Sequence, residues 1–236
     1  MSKIVIKKRN DNTEQRELLL KAYEEKVSNV IQKMPRGLSF EEKVEYLYEY
    51  LVNEMDYDYE CLDRNTSEGT VYPSVFIDNE NVPAAYRNIG TTADCESSFL
   101  HKKALCAAIS KIFNSLCKKA GIKCEFCEGK TAVIDESKGI RRQHVWNVVE
   151  DEYGRRSHVD VTYGIFVKDN HKFKNCRGRK IEDFCMVSDE DLFQRGPHTI
   201  TSQIQPCNYT VYNHQQIQES LLKRLNNEEK SENREH

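Results

Sequence analysis

Two imidazoles and a carboxylate, His144, His158 and Asp160, fall within RRQHVWNVVEDEYGRRSHVDVTYG (141–164), which reads as two strands around a turn. The polar run Glu150-Asp151-Glu152-Tyr153-Gly154 separates the strands, a hairpin signal. With Gly154 in the left-handed position of a three-residue loop, residue 150 pairs with 154 and residue 144 with 160. His144 and Asp160 then face each other with Cβ atoms about 4.5–5.5 Å apart, near enough for the carboxylate to accept a hydrogen bond from an imidazole N–H. A histidine oriented in this way suggests a nucleophile.

The nucleophile that fits is Cys106. A helix is expected over Leu105 to Ala120, where Leu105, Ala108, Ile109, Ile112, Phe113, Leu116 and Ala120 form one apolar stripe and Gly121 is the stop. Cys106 sits at the edge of that stripe, near the helix start, where the positive end of the dipole and a neighbouring histidine both lower a thiol pKa. Cys106, His144 and Asp160 would then be nucleophile, general acid–base and orienting carboxylate. The plainer reading is that Cys106 is one more small buried apolar side chain. Two supporting residues follow. Trp146 shares the strand face of His144 and either shields the His–Asp pair from water or packs the core. His158 shares the face of Asp160 and either competes as base or supports the fold.

The elements that must position these residues are helical first and stranded later. Residues 14–33 show helical periodicity, stopped by Pro35-Arg36-Gly37. Ser39 caps a second helix with Glu42 as capping-box partner and Val44, Leu47, Tyr48 and Leu51 as its buried face. Residues 56–97 read as a long irregular connection, and Asp56–Glu60 lacks the glycine and distal glutamate of a calcium loop. Phe99 to Leu105 is helix-compatible, so a helix capped at Ser97 or Ser98 would run through Cys106 and remove its dipole advantage. Strands are expected at about 122–129 and 131–135, in the hairpin, and near Phe184-Cys185-Met186-Val187; residues 226–236 read as a disordered polar tail. Cys124 and Cys127 form a Cys-x-x-Cys, but residues three apart on a strand point to opposite faces and no second pair follows, so no metal is expected. The order of elements is α+β.

Composition narrows the classes further. The chain has 236 residues, 38% of them hydrophobic, with 35 basic against 38 acidic residues and a net charge of −3. No overall field favours nucleic acid or a membrane. The basic run Lys172–Lys180 has no aromatic ladder to accompany it. Nine cysteines without regular spacing fit reduced thiols, and no stretch approaches the length of a signal or membrane segment, so the expected location is the cytoplasm.

Several stretches in order resemble the transglutaminase-like superfamily of papain-type thiol enzymes, in its bacterial branch. EEKVEYLYEYLVNEMDYDYE resembles the helix before the core, ALCAAISKIFNSLCKKAGIKCEFCEG the nucleophile helix and following strand, HVWNVV the His strand and SHVDVTYG the Asp strand. EDFCMVSDEDL and QPCNYTVYN resemble later elements of that branch. The resemblance implies an α+β papain-like core, with a nucleophile helix on an antiparallel sheet. It places an N-terminal helical lead-in at 1–37, the catalytic domain at 38–215, and a C-terminal helix and tail at 216–236. It implies that Cys106 attacks an amide carbonyl of a protein or peptide, His144 shuttles protons and Asp160 orients His144, with no cofactor. Whether water or an amine resolves the acyl intermediate stays open. One departure is that the family carries glycines around the nucleophile where this chain has Ala104, Ala107 and Ala108. A catalytically silent binding module is therefore the alternative.

Overall fold

The computed structural model describes residues 13–59, 95–131, 142–169, 176, 178–196 and 198–232. Most of the irregular connection expected over 56–97, part of the strand expected at 131–135, and most of the 172–180 basic run lie outside the described residues. Helices α1 (Thr13–Gln32) and α2 (Phe40–Glu54) lead the chain. Ser39 caps α2 as its sequence predicts. Its Oγ accepts from the Glu42 N–H at 3.1 Å, and the Glu42 carboxylate accepts from the Ser39 N–H at 2.8 Å. Val44, Leu47, Tyr48 and Leu51 are fully buried, and each aliphatic side chain among them contributes about 1.5–3 kcal/mol.

Of the two readings, a helix that starts near Leu105 and one that runs through Cys106 from Ser97 or Ser98, the structure has the first. Helix α3 (Cys95–His101) ends where Lys102 turns left-handed at φ 60°, and α4 (Cys106–Lys119) starts after an extended Leu105. Such a backbone costs about 1–2 kcal/mol in an L-residue. What offsets it is a short parallel bridge between β1 (Asp56–Tyr57) and β2 (Lys103–Ala104). The Asp56 N–H donates to the Lys102 carbonyl at 2.8 Å, and the Asp58 N–H donates to the Ala104 carbonyl at 2.9 Å. The Lys102 ammonium also reaches Glu54 at 3.1 Å. Cys106 is thus the first residue of a helix rather than the middle of one.

Five strands form one antiparallel sheet in the order β6-β5-β4-β3-β7. They are β3 (Lys123–Thr131), β4 (Arg142–Glu150), β5 (Arg156–Val159), β6 (Cys185–Val187) and β7 (Thr199–Ile200). β3 runs unbroken to Thr131, where the sequence suggests an interruption after 129. Gly129 marks close approach instead of a strand end, since a Cβ there would run into the Thr199 carbonyl and the Trp146 ring. Polar side chains lash α4 to the sheet. Ser110 Oγ donates to the Val145 carbonyl at 2.9 Å, Asn147 Nδ2 to the Ser110 carbonyl at 3.2 Å, and Asn114 Nδ2 to the Cys124 carbonyl at 2.9 Å.

The hairpin forms, with a register two residues from the expected one. Asn147 pairs with Val159 and Glu150 with Arg156, so the pairing continued along the strands sets residue 160 beside 146 and not beside 144. The cause is Asp151, whose Oδ1 accepts from the N–H groups of Tyr153 and Arg155 at 2.9 and 2.8 Å and makes the loop two residues longer. Gly154 does adopt the left-handed conformation, at φ 76°. A slip of two residues preserves the face of every side chain. His144, Trp146, His158 and Asp160 therefore stay on one side of the sheet.

The remaining elements are α5 (Val161–Lys168), a 3₁₀ turn (Ile181–Phe184), α6 (Asp189–Arg195) and α7 (His214–Glu232). The polar tail expected to be disordered from 226 is helical through Glu232. Its helix is anchored upstream on α2, where His214 Nδ1 meets Glu45 Oε2 at 2.7 Å and Ser220 Oγ donates to Glu42 Oε1 at 2.6 Å. Among the described residues, no helix is long and apolar enough to cross a membrane.

Candidate active site

Cys106 occupies the first turn of α4, and its side chain is partly exposed. Leu105 is a helix cap without a side-chain hydrogen bond, and no acidic residue stands in the first turn. The first intrahelical bond runs from the Ile109 N–H to the Leu105 carbonyl at 3.0 Å. The N–H groups of Cys106, Ala107 and Ala108 thus have no intrahelical acceptor, which makes this helix end a site where negative charge is stabilised.

The His144 imidazole is hydrogen-bonded to the Asp160 carboxylate and interacts electrostatically with the Cys106 thiol. Its Nε2 lies 2.6 Å from Asp160 Oδ2, which leaves Nδ1 for the thiol. His144 is 5% exposed and Asp160 is 1% exposed, so the pair works in a dry, low-dielectric setting. Burial opposes the charged ring, but Asp160, aided by Cys106, overrides it and raises the His144 pKa to about 10. Burial likewise opposes the Asp160 carboxylate, and the His144 and His198 imidazoles outweigh it and hold the carboxyl well below its usual range. The direction for both partners is an imidazolium–carboxylate pair at neutral pH.

Asp160 is placed by local chemistry. It leaves β5 at the cap of α5, where its Oδ1 accepts from the Tyr163 N–H at 3.1 Å and its own N–H donates to the Phe184 carbonyl at 2.8 Å. The sequence-predicted residues Cys106, His144 and Asp160 are therefore brought together, as are Trp146 and His158. Trp146 stacks on His144 with ring centroids 5.5 Å apart and planes 22° from parallel. Its Nε1–H donates to His158 Nδ1 at 2.9 Å. An indole nitrogen is only a donor, so His158 Nδ1 is an acceptor and the ring proton sits on Nε2, where it is donated to Asp189 Oδ1 at 2.7 Å. Fully buried and committed on both nitrogens, His158 is a support for Trp146.

One residue of the cluster escapes sequence reading. His198 Nε2 lies 3.0 Å from Asp160 Oδ2, the oxygen that His144 also contacts. Pro197-His198-Thr199 falls in a polar connection without periodicity, and only the pairing of β7 with β3 carries it to the site. No signal in the sequence marks it.

Two groups here have the ligand types of a metal site, His144/Asp160/His198 and His158/Asp189/Cys207, each with its atoms within 4.8 Å of one another. In both, the nitrogen that faces the carboxylate is engaged with it in a hydrogen bond. For His158 the indole fixes the proton on that nitrogen, so it has no lone pair to offer an ion. Cys124 and Cys127 lie in different environments: Cys124 is partly exposed, whereas Cys127 is buried with its Sγ 3.4 Å from Ser202 Oγ. Burial pushes the Cys127, Cys176 and Cys207 thiols each up to about 12.

No family model matches the sequence. No curated protein matches it either. Among solved structures, the chain is similar to a transglutaminase at 18% identity and a TM-score of 0.43, over 66% of this chain and 35% of the other. It is also similar to a protein described as a candidate cysteine protease from Cytophaga hutchinsonii, at 9% identity and a TM-score of 0.37, over 81% of this chain and 55% of the other. The chain thus spans about a third and about half of the lengths of these two proteins.

Proposed function

We propose that this protein carries out thiol-dependent acyl transfer on the amide of a protein or peptide, with Cys106 as nucleophile, His144 as general acid–base and Asp160 as orienting carboxylate. The observation that supports this reading is a partly exposed thiol at a helix start, an imidazole that interacts with it electrostatically, and a buried carboxylate hydrogen-bonded to that imidazole. In the reaction, the Cys106 thiolate attacks the amide carbonyl, and the oxyanion that forms lies beside the Cys106 N–H. His144 gives its proton to the departing amine and leaves a thioester. Water or a second amine then loses a proton to His144, attacks the thioester and releases Cys106. Hydrolysis is the default outcome because water is always present.

The test is alkylation of Cys106 across pH, followed by peptide mapping, in the wild type and in His144→Ala and His144→Gln. Burial of Cys127, Cys176 and Cys207 keeps those thiols out of competition. A thiolate–imidazolium pair alkylates at mildly acidic pH about tenfold or more faster than either variant. Equal, slow reaction in all three proteins would instead favour a silent binding module, the reading suggested by Ala104, Ala107 and Ala108.

A further inference from the structure

Asp160 carries more hydrogen bonds than a two-partner dyad needs. Its Oδ2 lies 2.6 Å from His144 Nε2 and 3.0 Å from His198 Nε2, while Oδ1 accepts from the Tyr163 N–H at 3.1 Å. The three donors come from β4, from the segment before β7 and from the start of α5, so the carboxylate is held from three directions.

The protonation of His198 follows from its surroundings. The residue is 3% exposed and its ring packs among Tyr163, Trp146 and Phe184, with centroids 4.5, 5.1 and 6.3 Å away. Its Nδ1 makes no hydrogen bond in this geometry, and the Gly196 carbonyl accepts from the His198 backbone N–H at 2.7 Å. An imidazolium there would bury a second N–H without an acceptor, which costs about 1–3 kcal/mol or more. The carboxylate at Nε2 requires a proton on that nitrogen. His198 is therefore neutral with its proton on Nε2, in line with the burial that lowers its pKa.

We propose that His198 is a positioning residue: its neutral imidazole donates to the Asp160 oxygen that also serves His144, which fixes the carboxylate and divides its charge between two rings. Its effect on function rests on the acyl-transfer reading above. The charged and titratable groups facing His144 are Asp160, Cys106, His198 and Tyr163. Of these, His198 points the positive end of an N–H dipole at the Asp160 oxygen shared with the imidazolium. It thereby weakens the grip of Asp160 on the His144 proton and helps that proton leave during the acid step.

Nuclear magnetic resonance titration of the side-chain imidazole nitrogens in the full chain tests this without any turnover. The variants are His198→Phe, which keeps a ring but no donor, and His198→Gln, whose amide reaches the position of Nε2. The His144 titration is expected to move upward by about half a pH unit or more in His198→Phe and to return toward the wild-type value in His198→Gln. An unmoved His144 in folded His198→Phe, or equal displacement in both variants, overturns the assignment. If His198→Phe does not fold, the wild-type spectrum decides: a neutral His198 protonated on Nε2 supports the proposal, and an imidazolium or an Nδ1–H tautomer overturns it. A protein that shows this pattern but no reactive Cys106 supports the role of His198 and counts only against acyl transfer.

Discussion

The hydrogen bond from Trp146 Nε1 to His158 Nδ1, 2.9 Å long, ties the ring that covers His144 to a second imidazole–carboxylate pair that ends at Asp189. Two of the buried histidines of the site thus have opposite duties. His144 is oriented by Asp160 toward a thiol, whereas His158 is oriented by Asp189 toward an indole.

Removing the far end of that second pair is expected to cost stability. In Asp189→Ala the buried Nε2–H of His158 loses its acceptor, and unfolding in denaturant should show a loss of about 1–3 kcal/mol. Asp189→Asn keeps an oxygen at that position and is expected to lose distinctly less. Equal losses in both variants would mean that the His158 bond is not what Asp189 contributes.

Gly129→Ala puts a methyl group where the Trp146 ring and the Thr199 carbonyl already lie. Overpacking of this kind costs about 1–3 kcal/mol, and because the displaced ring is the one stacked on His144, Trp146 fluorescence should change along with the denaturation midpoint. A variant as stable as wild type, with an unchanged emission maximum, contradicts the close approach.

Stability should depend on pH through His144. An unfolded histidine titrates near 6.5, and in the folded chain Asp160 lifts His144 to about 10, against the opposing effect of burial. Between these values the folded state holds a proton that the unfolded state has released. The contribution is complete below about pH 6.5 and is lost as pH rises through about 10, at a rate of up to about 1.4 kcal/mol per pH unit. The stability difference between wild type and His144→Gln, measured by denaturant unfolding at several pH values, should shrink across this window. A difference that stays constant would argue against a folded imidazolium.

Lys102 holds a backbone conformation that glycine adopts freely. Lys102→Ile is expected to destabilise, because a β-branched side chain tolerates the left-handed region worse than lysine does, and Lys102→Gly to lose little, since relief of the backbone offsets the lost contact with Glu54. Thermal unfolding of the two variants side by side checks the order. A glycine variant weaker than the isoleucine variant would place the strain elsewhere.

Features written into neighbouring residues were legible in the sequence. The Ser39–Glu42 capping box, the apolar stripe of α4 and the shared strand face of His144, Trp146, His158 and Asp160 all follow from spacing alone. What stayed hidden depends on partners far along the chain. The helix start near Leu105 is expected, but the left-handed turn at Lys102 that precedes it involves neither glycine nor proline and is held by N–H groups of Asp56 and Asp58. The hairpin register turns on which amides Asp151 captures, a choice among several loops of similar composition. His198 reaches Asp160 only through sheet pairing of a two-residue strand. The end of α7 carries no apolar stripe, and its order is inherited from contacts with α2 made turns earlier.

The bridge between β1 and β2 also makes the chain its own gauge. The amide protons of Asp56 and Asp58 are bound to the carbonyls of Lys102 and Ala104, the residues that lead into Cys106. Whenever the start of α4 lifts away, those two protons open to solvent, although they belong to the segment that follows α2. Their exchange with deuterium therefore reports, from a position remote in sequence, how often Cys106 leaves its seat.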